Sequence, residues 1–487
     1  MLTRPAAVAL LVLCASGVAH TRQAAREQKP VKEHTFDLES SYIRMPLPPG
    51  DEKYGRLDGY RMKDHVRAIT AITRKYHDAG ERYWGRLPGS KADSDTEQYI
   101  AARFKDYGLA VEMQPVSLTP QWRATDWSFT ATGSGTTLTP TSIYPAEDTF
   151  NTPAGGLNLD VVWVGLGTEL DFAGRDVKGK LVFVHSDPRP NAFQGTARSI
   201  GAMQRAVQQG AAAVVVNVNI PGNITQTFAT APKVPTFSIG TRDADDLKAL
   251  MTKGPVTVSL KMAAEARTGL TDNNVWGTLP GTSPEEIIIT AHHDSRFEGA
   301  FDNASGIATM LGLAEYFSKV PQAQRKRTMR FVSTATNQEG ANAVKARPGG
   351  LSNVVLVINS EHTAITAISQ FGASGSFKTT ATSPRRWWIN GSDKLAAMTL
   401  DAYKKFGVAI WDWEMYDGGG IGPFAREVTS LQLLDSPVYH SAAADRDDNV
   451  PPPGLEAVAR AYAKIIDQTG TMSRAEMQQS LAAPASR

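Results

Sequence analysis

Apolar residues recur with two different periods along this chain, and the changes of period divide it. From Tyr60 to Ala79, Val66, Ile69, Ile72 and Tyr76 share one face, the spacing of an amphipathic helix. A second helix is expected from Asp93 to Tyr107, stopping at Gly108, because glycine readily takes the left-handed conformation that closes a helix. Gly85–Ser90 between them reads as a loop. Between about 120 and 265 the pattern changes. Trp122 to Ile143, rich in Thr, Ser and Gly, predicts antiparallel strands. Val161–Val164, Leu181–Val184 and Ala213–Val216 are short strands, and Ser199–Gln209 is a helix closed by Gly210. From Thr268 strands alternate with helices. Ile287–Thr290, Met329–Thr334, Val354–Ile358 and about Ser430–Leu434 are the strands, and Ile307, Met310, Leu311, Ala314 and Phe317 line one face of a helix. Such alternation predicts an α/β fold with a mixed, mainly parallel sheet flanked by helices. The segment before it adds a smaller β-rich α/β unit. No internal repeat is visible.

The two ends are of a different kind. Residues 1–19 have the layout of a secretory signal: Arg4, an apolar run from Ala6 to Leu13, and Gly17-Val18-Ala19 as a small-x-small cleavage site. The run is well short of the ~20 residues a spanning helix needs, although an uncleaved anchor is the alternative reading. Residues 20–57 are polar, include Met45-Pro46-Leu47-Pro48-Pro49-Gly50, and read as a linker; 471–487 read as a flexible tail. At 487 residues the chain is too long for a single core. A formal charge of +2 leaves no basic footprint for nucleic acid or acidic lipid. Secreted or periplasmic residence is therefore expected, with no membrane contact beyond the signal segment. Cys14, the only cysteine, lies in that segment, preceded by a bulky leucine that makes a poor lipoprotein signal. A mature chain would have no disulfide, and any metal would have to be held by His, Asp and Glu.

Four chemically loaded clusters each follow one of the later strands: His292/Asp294/Asp302, Asn337-Gln338-Glu339-Gly340, Glu361-His362 and Tyr439-His440. Carboxyl ends of strands are where open α/β sheets bind ligands, and imidazole with carboxylate is what zinc takes when thiolate is absent. Counting His293, which stands between His292 and Asp294, four of the chain's nine histidines fall in these clusters, which makes coincidence a poor account of them.

His292-His293-Asp294, Asp302 within Gly299–Gly306, Asn337–Gly340, Glu361 and His440 follow one another as in a known pattern. In these residues the chain resembles the secreted zinc exopeptidases of metallopeptidase family twenty-eight, the di-zinc aminopeptidases and glutamate-carboxypeptidase-like enzymes. Residues 120–265, with Val164–Gly167, Asp171–Gly174, Val177–Val182 and Gly210–Val214, resemble a protease-associated domain. The resemblance implies a peptidase-like domain over 58–119 and 266–470, with that domain inserted. It implies a peptide or protein substrate, and a zinc ion held by His292, Asp302 and Glu361, with Asp294 orienting His292. A second zinc would be held by Asp302, Gln338 and His440.

The pattern also departs from the family. Where the family has two glutamates, this chain has Asn337 and Gln338. An amide cannot titrate near neutral pH, so the general base is missing and the second zinc site lacks a charge. One zinc site is therefore expected to be good and its neighbour doubtful. Glu339 could replace the base or ligand through a one-residue shift, or His293 or His362 could act as base. Adjacent side chains in an extended segment point apart, which favours structural roles for both histidines. Tyr439 is either a core tyrosine or an oxyanion donor, and Asp445 and Asp448 are either loop caps or supports for His440. Trp387, Trp388, Trp411, Trp413 and Tyr416, with Gly418-Gly419-Gly420, either line a pocket or pack in the core. Arg385 and Arg386 are expected to be solvated, or else to meet a substrate carboxylate. The leading expectation is an aminopeptidase working by metal-activated water, with reduced activity. The alternative is a peptidase-derived scaffold that binds without cleaving, as the transferrin receptor ectodomain does within the same superfamily.

Overall fold

The structure, a computed structural model, describes residues 42–186, 199–219, 223–228, 233–371, 375–411, 419–434 and 445–478. Its larger-core sheet contains β1 (Ala110–Ser117), β2 (Thr271–Leu279), β3 (Ser283–His292), β4 (Arg327–Thr334), β5 (Val354–Ser360), β6 (Arg386–Asn390) and β7 (Ser430–Leu434), in the order β1-β2-β4-β3-β5-β7-β6. The four central strands β4, β3, β5 and β7 are parallel, and the outer ones run antiparallel. This is the mixed, mainly parallel architecture expected from the alternation of elements.

Helices α1 (Gly59–Asp78), α2 (Lys91–Asp106), α3 (Gly306–Ser318), α4 (Glu339–Ala346), α5 (Asp393–Phe406) and α6 (Pro452–Thr469) cover the sheet. Alternation along β3 shows why it is buried on both sides. Ile287 and Ile289 join the core under α1, α2, α3, α5 and α6, whereas Ile288 joins a smaller one with Ala341 and Val344 of α4. From β3 the chain moves through α3 to β4 on one side, then through α4 to β5 on the other. That reversal opens a crevice at the carboxyl ends of β3 and β5.

Two outer strands escape the sequence pattern. β1 carries Pro115 and mostly exposed or half-buried side chains, which an edge strand tolerates and periodicity does not reveal. β2 likewise goes unmarked, because its burial does not alternate. These two pair with Ser117 opposite Thr271, so residues 118–270 leave and re-enter the sheet at the same point. They form a second, eight-stranded sheet with Leu157–Trp163, Leu181–Ser186, Ala213–Val218 and Thr236–Ile239 parallel at its centre. It meets the first unit through Tyr144, which stacks on Tyr83 and tilts against Phe297, and through the Arg296–Glu147 ion pair at 2.8 Å. Among the described residues no helix is long and apolar enough to cross a membrane.

α1 and α2 are joined by a half-buried histidine. His65 Nδ1 is 2.7 Å from Tyr99 Oη and its Nε2 is 3.0 Å from Tyr107 Oη. Burial, aided by Arg103, pushes its pKa down from 6.5 to about 4. A depressed folded pKa means stability that is present above the unfolded value and lost as pH falls toward the folded one. Acidification from pH 7 to 4.5 is therefore expected to remove about 2–3 kcal/mol through this residue. Urea unfolding at both pH values should show that loss in the wild type and a flatter response in His65→Gln; equal slopes would refute it.

Candidate metal centre

His292 is the last residue of β3, and Glu361 follows the last residue of β5. Asp302 lies in the turn Ala300–Ser305 that leads into α3. The turn is brought against β5 because Gly306 has no side chain: a Cβ there would lie 2.0 Å from Ser360 O. His292, Asp302 and Glu361 are all buried, and one ligand atom from each lies within 4.8 Å of the others. His292 Nε2 is 3.1 Å from Asp302 Oδ1 and 3.6 Å from Glu361 Oε1. Its Nδ1 is 2.9 Å from Asp294 Oδ1. With Nδ1–H donated to that carboxylate, the Nε2 lone pair faces the two acids, the tautomer a metal ligand needs.

Each ligand-bearing segment is fixed by a buried polar side chain. Asn303 donates to His292 O at 3.3 Å and to Ser360 O at 3.1 Å, and accepts from His362 N at 3.2 Å. Asp445 Oδ1 accepts from Phe301 N at 2.5 Å and Asp302 N at 3.2 Å. Arg86, fully buried in the Gly85–Ser90 loop, donates to His293 O, Glu298 O and Gly299 O at 2.7, 2.7 and 2.8 Å. Glu361 Oε2 accepts from Asn359 Nδ2 at 2.6 Å and Gly420 N at 2.9 Å. The site is thus preorganised from several elements at once.

Electrostatics favour a cation here. Burial alone would depress His292, yet Asp294, Asp302 and Glu361 outweigh it and hold the imidazole well above its ordinary value. Burial would raise Glu361, but its hydrogen bond and charge interaction with His292 bring it below the carboxylate range. Asp445 is pushed up to about 8 by burial first and by the Asp302 charge second. One imidazole and two carboxylates, buried and convergent, suit a divalent ion that prefers N and O donors.

Other residues singled out in the sequence are placed as follows. Asn337, between β4 and α4, turns toward the site and donates to Glu361 Oε1 at 3.4 Å. Gln338 is exposed at the start of α4. Glu339 is engaged elsewhere: its carboxylate accepts from Thr119 Oγ1 at 2.7 Å and Thr336 Oγ1 at 2.6 Å. Burial raises its pKa, but those hydroxyls more than offset this and lower it. Tyr439, His440, Trp413, Tyr416 and Gly418 lie outside the described residues. Trp387 and Trp388 pack against opposite cores of the sheet. Arg385 and Arg386 are buried rather than solvated, because β6 is covered on the sheet's edge.

His362 departs from the expectation that it would face away from Glu361. Its Nε2 is 3.1 Å from Asp302 Oδ1 and its ring stacks on Phe301 at 4.3 Å. The reason is its backbone: φ is +51°, so residue 362 is not extended, and two consecutive side chains turn toward the same carboxylate. A non-glycine residue held there costs on the order of 1 kcal/mol or more. Burial lowers its pKa, but Asp302 raises it further and the net direction is up. No local sequence signal marks His362 or Arg86 for these roles, since both depend on segments far apart in the chain.

Carboxypeptidase Q of Xenopus laevis is 28% identical over 227 residues, 43% of this chain and 48% of that protein. Aminopeptidase YwaD of Bacillus subtilis is 26% identical over 252 residues, 50% of each. The chain thus spans about half the length of these curated relatives. The crystal structure of a peptidase M28 precursor from Shewanella amazonensis shares the fold, with a TM-score of 0.68 at 20% identity over 88% of this chain and 97% of that one. Residues 274–409, from β2 to just beyond α5, match the model of peptidase family M28.

Proposed function

We propose that this chain is an exported, zinc-dependent exopeptidase of lowered turnover that acts on the amino end of peptides. The observation that carries the reading is the convergence of His292, Asp302 and Glu361 beside an amide, Asn337. Those three residues would hold zinc. When bound, it would polarise the scissile carbonyl and lower the pKa of the attacking water toward ~7. Asp294 keeps the His292 ring oriented. By resemblance, His440 and Gln338 would complete a second, less charged position, and Tyr439 would donate to the oxyanion.

Lowered turnover follows from Asn337, which cannot take a proton where the family has a glutamate. Glu339 could replace it only by giving up the hydroxyls of Thr119 and Thr336. Relatives of both kinds, a carboxypeptidase and an aminopeptidase, match the chain. Burial of Arg385 and Arg386 removes one candidate receptor for a substrate carboxylate and favours the amino end. Export rests on residues 1–19, and residues 120–265 are read as the protease-associated insertion. The amide pair also favours a second reading, a peptidase-derived scaffold that binds peptide without cleaving it.

Zinc-loaded protein is expected to hydrolyse aminoacyl-anilides slowly, to lose this activity in a chelator and to regain it with zinc. Peptides with a blocked amino terminus should resist. Bound metal with no hydrolysis of any unblocked peptide would leave the scaffold reading.

A further inference from the structure

Below the centre just described lies a second buried cluster that the proposed reaction does not use. Asp93 sits in the first turn of α2 and Glu97 one turn later; Asp272 is on β2, and His293 follows His292. All four are buried, Asp93 and His293 completely. His293 Nε2 is 3.6 Å from Asp93 Oδ1, 3.9 Å from Glu97 Oε1 and 3.9 Å from Asp272 Oδ1. Neither His293 Nε2 nor Asp93 Oδ1 has a hydrogen-bond partner. Among the described residues no lysine or arginine pairs with the three acids.

The remaining bonds aim these atoms inward. Gly89 N donates to Asp93 Oδ2 at 3.0 Å and Asp272 Oδ2 at 3.2 Å, leaving Asp93 Oδ1 for the interior, while Asp272 Oδ1 accepts from Asn273 N at 2.9 Å. Asn273 holds Glu97 through its backbone N at 2.8 Å and its side-chain amide. His293 Nδ1 is 3.0 Å from Ser333 Oγ; a proton donated there leaves the Nε2 lone pair pointing at the acids. Arg86 and Arg123 act on Asp93 only at a distance, and three buried carboxylates so weakly compensated are costly. The strain appears as a pKa pushed far up for Asp93 by burial and Asp272, and up to about 8 for Glu97 by the same two causes, while Asp272, raised by burial, is held well below the usual carboxylate range by Asp93, His293 and Glu97.

We propose that Asp93, Asp272 and His293, with Glu97 beside them, bind a divalent transition-metal ion of the zinc class in a closed structural site. One atom from each of the three lies within 4.8 Å of the others. An ion ~2.0–2.2 Å from tetrahedral N and O ligands sets neighbouring ligand atoms about 3.4 Å apart, close to the separations seen. The imidazole argues against calcium, which takes six to eight oxygens. Complete burial leaves no open position for a substrate. Such an ion would tie α2, β2 and the end of β3 together, and would thereby steady His292.

The full-length chain, loaded with zinc and desalted, should give crystals with an anomalous difference peak at the zinc edge between His293 Nε2, Asp93 and Asp272. Asp272→Asn should hold one ion per chain fewer than wild type while keeping the peak at His292, Asp302 and Glu361. Glu361→Gln should lose that peak and keep the new one. If the wild-type map is empty among Asp93, Asp272 and His293, the cluster is held by shared protons and the proposal is wrong. That map decides the matter even if the Asp272 variant fails to fold.

Discussion

Replacing Asn337 and Gln338 together by glutamate is expected to raise the chelator-sensitive hydrolysis of aminoacyl-anilides by roughly 10²–10⁴-fold in kcat/KM, the usual worth of a general base. The fold already turns residue 337 toward the site, its amide nitrogen 3.4 Å from Glu361 Oε1. A carboxylate there could take the proton that an amide cannot. Space across from it is kept by Gly420, where a Cβ would lie 3.0 Å from Asn337 Oδ1, so the longer glutamate must extend toward the ligands. Without a metal the new charge would face Glu361 and repel it. The double variant should therefore lose more melting temperature in chelator than wild type does, and recover it with zinc. Asn337→Glu alone should supply most of the rate, since Gln338 is exposed. Unchanged rates in variants that still bind metal would sink the enzyme reading and leave the scaffold.

What the chain discloses in advance depends on how local the cause is. The Ile287–Ile289 run and the helix through Ile307 to Phe317 are legible because a strand and a helix each write their period into adjacent residues. His292, Asp302 and Glu361 are legible as a group because metal-binding side chains stand just past successive apolar runs. β1 is not, since Val111 and Met113 are only partly buried against the core and Pro115 interrupts the alternation. His362 is misjudged for want of one dihedral angle, because a rule for extended chain fails at φ +51°. Arg86, and the meeting of Asp93 with Asp272 and His293, arise from segments more than a hundred residues apart. Only the folded sheet brings them together. Arg385 and Arg386 show the reverse error: charge suggests solvent, yet the sheet edge buries them.

Asp302→Asn is expected to weaken zinc binding by more than ~100-fold and to abolish measurable hydrolysis, whereas Asp294→Asn should cost only the ~10–100-fold typical of a residue that orients a ligand. Both changes keep the shape of the side chain and remove one charge, so the contrast isolates position. Asp302 Oδ1 lies 3.1 Å from both His292 Nε2 and His362 Nε2, at the point where the site's donors converge. Asp294 touches only the far side of the His292 ring. The turn should survive the Asp302 substitution, because Asp445 holds it through the backbone nitrogens of Phe301 and Asp302. Circular dichroism should therefore be unchanged while affinity, measured by competition with a chromophoric chelator, collapses. Equal losses in the two variants would mean that Asp302 orients rather than ligates. The ion would then have to be held chiefly by Glu361 and the imidazoles.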